Sequence, residues 1–134
     1  MAAFVHPLRV RYHECDAQGI VFNAHYVAYF DIALTELWRA AFGSYAALVQ
    51  AGSDVVVAEV TATFLAPARF DDEVAVSIAV ERLGTTSMTS ALAVLRAGET
   101  LVRGRMVHVF VDPATLGKQA IPDGVRERLA SYAP

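Results

Sequence analysis

Four side chains in the first quarter of the chain could do chemistry: His13, Cys15 and Asp16 crowd one short stretch, and His25 stands where a helical pattern begins. A carboxylate at Asp16, ahead of Gly19, can attack a carbonyl or take a proton from water. Spacing alone favours a structural Asx-turn or helix cap at that position. A metal would need a tight pair such as C-x-x-C or H-x-x-x-H, and these four residues form none, so no metal is expected. Cys15 with His25 would make a nucleophile pair, yet the neighbouring carboxylate raises the thiol pKa and opposes the thiolate. His25 has two open readings: it orients water or substrate, or it is a solvated or capped residue of the first turn. His108, within an apolar strand, reads as a hydrogen-bonded core or interface residue.

These residues need elements to hold them. Phe4 to Tyr12 has strand character, and Pro7 assigns it to an edge or a bulge. Asp16 to Phe22 contains Gly19 and reads as a turn entering a helix. Between Ala24 and Phe42 the residues Val27, Phe30, Leu34, Leu37, Trp38 and Ala41 recur at three and four, one face of an α-helix, with Trp38 in its core. Gly43 ends it, and a short helix over Ser44 to Gln50 follows. Four extended segments then run to Asp112, broken at Pro67, at Leu83-Gly84-Thr85 and at Ala97-Gly98-Glu99. In the first, Val56, Ala58, Val60, Ala62 and Phe64 form the apolar face; in the second, Val74, Val76, Ile78 and Val80. The last two, 87–96 and 100–112, are apolar on both faces, which predicts a second buried surface and hence association. Asp123 to Tyr132 predicts a final short helix. The order is α+β, and its simplest packing curls the sheet around the long helix.

The chain has 134 residues, 55% hydrophobic and 19% charged, with a net charge of -3. That suits one domain over 1–134 and excludes a disordered chain. The acidic balance gives no field for nucleic acid. No apolar run spans a bilayer and the start is unlike a signal peptide, so no membrane insertion and a cytoplasmic location are expected. The lone Cys15 fits a reducing compartment.

The run Tyr12-His13-Glu14-Cys15-Asp16-Ala17-Gln18-Gly19-Ile20-Val21-Phe22-Asn23-Ala24-His25-Tyr26-Val27 resembles the opening signature of the 4-hydroxybenzoyl-CoA thioesterase family of hotdog proteins: D-x-x-G-aliphatic-V-aromatic, then a tyrosine opening the helix. Tyr29 to Arg39 is similar to the branch containing the Tol-Pal-associated acyl-CoA thioesterases, and Phe64 to Asp72 matches a strand-end pattern of the same proteins.

The resemblance implies a hotdog fold, a five-stranded antiparallel sheet wrapped around one long central helix. It implies an acyl-CoA thioesterase with no cofactor, associating as a homodimer or homotetramer with sites at the shared interface. Asp16 takes the place of the catalytic aspartate, as nucleophile or general base. The backbone N–H of Asn23 polarises the carbonyl, Gly19 turns the backbone and leaves space, and Phe22, His25 and Tyr26 contact substrate. The loop before the fourth strand points to Arg82, Thr86 and Ser87 for CoA. Asn23 stands where an aromatic or histidine is usual, and His25 where a smaller residue is common, which leaves the acyl preference open. The alternatives are a hotdog dehydratase or hydratase, with His25 and Asp16 at one carbon, and a non-catalytic acyl-CoA sensor.

Overall fold

A computed structural model describes residues 3–134. In chain order they form β1 (Phe4–Arg9), a 3-10 turn (Tyr12–Glu14), α1 (Asn23–Phe42), α2 (Tyr45–Gln50), β2 (Asp54–Phe64), β3 (Glu73–Leu83), β4 (Ser87–Arg96), β5 (Glu99–Val111) and α3 (Asp123–Ala130). The strands make one antiparallel sheet in the order β1-β3-β4-β5-β2. The two strands that flank α1 in sequence therefore lie on opposite edges, and α1 crosses one face between them. This is the hotdog arrangement.

Packing explains the register. The inward residues Val74, Val76, Ile78 and Val80 of β3 are buried as their alternation predicts, beside Met88, Leu92 and Val94 of β4. Helix α1 buries Tyr26, Tyr29, Phe30, Ala33, Leu34, Leu37 and Trp38. Val27, expected in that stripe, is 37% exposed; the true seam starts one residue earlier, on Tyr26. Phe30 lies so close to β5 that a Cβ built on Gly104 would stand 2.5 Å from its ring. Only glycine leaves that room. Pro7 sits in edge strand β1 in regular register, with no bulge. The hairpin from β4 to β5 turns on Ala97 and Gly98, both at positive φ, in a two-residue turn.

Strand β2 departs from its expected alternation. A bulge between Val57 and Glu59 shifts the phase by one residue, so Val55, opposite Phe110, packs against the core in place of Val56 and Ala58, while Val57, opposite His108, stays exposed at the sheet edge. Beyond the bulge Val60, Ala62 and Phe64 keep the expected face. The surplus apolar surface also lies elsewhere than expected. The large exposed apolar residues include Val56, Val57 and Phe64 of β2 and none of β4 or β5.

Candidate active site

Asp16 sits at the head of a tight turn. Its N–H donates to Ile20 O at 2.9 Å, its carbonyl accepts from Gly19 N–H at 2.9 Å, and its Oδ1 accepts from Gln18 N–H at 2.8 Å. The Asx-turn reading is therefore correct as far as it goes. The second carboxylate oxygen has no hydrogen-bond partner among the described residues. Gly19 adopts φ +76°, which favours glycine, but a Cβ there would meet nothing within 4 Å. Its service within the chain is conformational, and the space beside it is open.

The base of the turn is pinned on two sides. Cys15 bridges Val21, Phe22 N–H donates to Glu14 O at 2.9 Å, and Val21 N–H donates to Ala68 O at 2.9 Å. The 64–72 segment that receives it is itself clamped. Arg96 donates to Asp72 Oδ2 at 2.8 Å and to Pro67 O at 3.1 Å, and Arg69 N–H donates to the same Asp72 oxygen at 2.9 Å. Burial alone would raise the Asp72 carboxyl, yet the Arg69 N–H and the Arg96 guanidinium hold it below its ordinary value.

A cavity of about 350 Å³ opens beside Asp16, with Ile20, Asn23, Tyr26, Phe64 and Pro67 among its walls. Tyr26 is buried, its ring tilted on Phe64 at 5.6 Å, and its hydroxyl accepts Ala68 N–H at 3.0 Å. It is a wall whose hydroxyl oxygen is anchored to the Ala68 backbone. The amino end of α1 meets the same cavity at Asn23. No side chain caps it and no acidic residue stands in its first turn, so the positive end of its dipole is unneutralised. Phe22 and His25 do not line this cavity. They meet each other edge to face at 6.2 Å, and Phe22 is 46% exposed.

Arg82, Thr86 and Ser87 are not brought near Asp16 within one chain. They lie where β3 passes into β4, whereas Asp16 docks on the segment that leads into the start of β3. Eleven residues of β3 separate the two ends, about 36 Å at strand rise. Around Arg82, Thr86 and Ser87 the neighbours are α3 and the end of β5: Arg126 donates to Leu83 O and Gly84 O, and Phe110 N–H donates to Thr86 O.

Glu14 is a part of this region that the sequence did not mark. It is 5% exposed, and its Oε1 accepts Arg11 N–H at 2.7 Å and the Tyr29 hydroxyl at 2.8 Å. Burial works against its charge, but those two donors and the Arg11 guanidinium keep its carboxyl below the ordinary value. Its flanks Tyr12 and His13 are exposed, so alternation gives no sign of a buried carboxylate there. The Cys15 thiol is pushed up by burial and by the charges of Glu14, Asp16 and Asp72, which disfavours the nucleophilic thiolate. His108 is core, but without the hydrogen bond expected of it: its Nδ1 has no partner, it meets Trp38 edge to face at 5.9 Å, and burial pushes its pKa down to about 4. Among the described residues no group of three or more His, Cys, Asp or Glu could hold a metal ion, and no helix is long and apolar enough to cross a membrane.

The sequence profile of the thioesterase superfamily matches residues 18–109. The chain is 32% identical to the acyl-CoA thioester hydrolase YbgC of Escherichia coli O6:H1 over 120 residues, 89% of this chain and 90% of the relative. Its fold superposes on a hypothetical protein of Aquifex aeolicus with a TM-score of 0.86 at 29% identity, covering 94% and 98% of the two chains. A gentisyl-coenzyme A thioesterase superposes with a TM-score of 0.83 at 25% identity, covering 93% and 98%.

Proposed function

The chain belongs to the thioesterase superfamily and is a thioester hydrolase; on that premise we propose that it cleaves acyl-CoA to a free acid and CoA, with Asp16 as the catalytic carboxylate. The observation that carries this reading is one cavity bordered by the Asp16 carboxylate, by the uncapped amino end of α1 and by apolar walls. The names of the Escherichia coli relative and of the gentisyl-coenzyme A structure support the substrate class.

A thioester carbonyl set in this cavity turns its oxygen to the Asn23 amide, where the helix end favours the developing oxyanion. Attack follows one of two routes. Either the Asp16 carboxylate adds to the carbonyl, giving a mixed anhydride that water opens, or Asp16 takes the proton of an attacking water. Both expel the sulfur as the CoA thiol and use no cofactor. Gly19 holds the turn that presents Asp16, and Tyr26 with Phe64 walls the acyl group.

Phe22 and His25 would meet substrate at the rim beside Asn23, whereas CoA contacts from Arg82, Thr86 and Ser87, at the far end of β3, would come from a second copy of the chain. The edge of β2 supports such a homodimer: it pairs with β5 on one side only and exposes Val56, Val57 and Phe64. Dimers pairing again would give a homotetramer. Each protomer contributes one hotdog domain, 1–134, and the unpaired Cys15 suits cytoplasmic conditions.

A dehydratase or hydratase would need a histidine acting with the carboxylate, and His25 is not among the residues that line the Asp16 cavity. Thiol release from short, long and aromatic acyl-CoAs tests hydrolysis. Enoyl-CoA absorbance without thiol would favour the dehydratase, and tight binding without turnover would favour a sensor.

A further inference from the structure

Asp16 borders two cavities. The second, of about 470 Å³, lies against the outer side of the Asp16–Gly19 turn and is lined by Tyr12, His13, Cys15, Asp16, Gly19 and Phe70. Its distinctive wall is an aromatic pair, Tyr12 and Phe70, with ring centroids 5.8 Å apart and planes at 87°. Both rings stand in water, Tyr12 at 80% and Phe70 at 55% exposure. Neither contributes to the core cluster, so folding gains little from them.

Their positions are nevertheless fixed by backbone. Tyr12 opens the 3-10 turn, and its carbonyl accepts Cys15 N–H at 3.2 Å. Phe70 lies in the turn closed by Asp72 N–H to Arg69 O at 3.1 Å and by the Asp72–Arg96 clamp. The backbone beneath both rings is fixed, and the rings meet each other edge to face. Aromatic side chains have few rotors to lose when a ligand binds.

A thioester carries two arms that diverge from its carbonyl. With the carbonyl between Asp16 and the start of α1, the acyl arm enters the cavity walled by Tyr26 and Phe64, and the thiol arm leaves past Asp16 on the other side. In acyl-CoA that arm begins with pantetheine, short apolar links joined by two amides. Amide planes stack on aromatic faces, and the Tyr12 hydroxyl, which has no partner among the described residues, can meet an amide. Resting on the acyl-CoA hydrolase reading above, we propose that the Tyr12–Phe70 cavity is the subsite for the pantetheine arm of the substrate.

The test varies the thiol arm while the acyl group stays constant. Wild type, Tyr12→Ala, Phe70→Ala and the double variant are assayed on the CoA, pantetheine and ethanethiol thioesters of one acid, after melting curves establish that all are folded. The double variant is expected to lose about tenfold in kcat/KM on the CoA and pantetheine thioesters, through KM, and to keep its rate on the ethyl thioester within about twofold. Inhibition by free pantetheine should weaken by the same factor in the double variant, a readout that needs no turnover of the truncated substrate. Equal losses on all three thioesters, no loss on any, or losses that follow acyl length would each overturn the subsite while wild-type hydrolysis stands. A wild type that releases thiol from no acyl-CoA would overturn the hydrolase reading, and this subsite with it.

Discussion

Replacing Glu14 by glutamine probes the buried anchor beneath the Asp16 turn. The carboxylate is 5% exposed and accepts two short bonds, from Arg11 N–H and from the Tyr29 hydroxyl. The Arg11 guanidinium, 3.4 Å from Oε2, is 61% exposed, so solvent screens its charge and the two bonds dominate. Glutamine keeps the shape and one acceptor but loses the charge that strengthens both bonds, and it turns an NH2 group toward Arg11. At about 1 kcal/mol of lost charge assistance per bond, the cost is about 2 kcal/mol. With about 2.1 cal/mol/K of unfolding entropy per residue over 134 residues, the melting temperature should fall by about 7 °C. Thermal unfolding at matched protein concentration reads this directly, since association would otherwise add its own shift. The pH dependence carries a sign. Because the folded carboxyl lies below its ordinary value of 4.5, its stabilisation is present above that value and is lost as pH falls through the folded one. The gap between wild type and variant should therefore narrow under acid. A shift below about 1 °C, or a gap unchanged down to about pH 3, would refute the anchor.

Gly104→Ala should cost about 1 to 3 kcal/mol in a urea titration, because its Cβ would strike the fully buried ring of Phe30. His108 has a folded pKa of about 4 against an ordinary 6.5, so the unfolded chain takes its proton first. Wild type should lose stability between those values as pH falls, and His108→Leu should flatten that limb; an unchanged limb contradicts the reading. Cys15→Ser should keep its hydrolytic rate within about twofold, since burial and three carboxylates disfavour the thiolate, whereas a larger loss would reinstate the thiol.

Much of the fold was readable because single periods dominate it: β3 alternates cleanly and α1 repeats at three and four. The failures share one cause, contacts distant in sequence. The bulge near Ala58 depends on how β2 meets β5, and no alternation count reveals it. Val27 seemed part of the core stripe, but the sheet lies over Tyr26 and Tyr29. Glu14 is buried where the Tyr29 hydroxyl reaches it from α1, a contact fifteen residues away in sequence. At the site, the Asp16 turn was legible from Gly19 and the signature, whereas the separation of Arg82, Thr86 and Ser87 from it follows from strand direction. His108 was rightly placed in the core, but the lack of a partner for its Nδ1 is a matter of packing.

If the Asp16 carboxylate performs the chemistry, removing its charge alone should stop hydrolysis. Asp16→Asn is suited to it, because the asparagine Oδ1 can still accept Gln18 N–H and preserve the turn. The decisive measurement is single-substrate thiol release by wild type and Asp16→Asn on the best acyl-CoA of the panel, with melting curves showing both folded. In Asp16→Asn kcat should fall by at least about a hundredfold with the melting temperature unchanged. A folded Asp16→Asn that hydrolyses within about tenfold of wild type would contradict it.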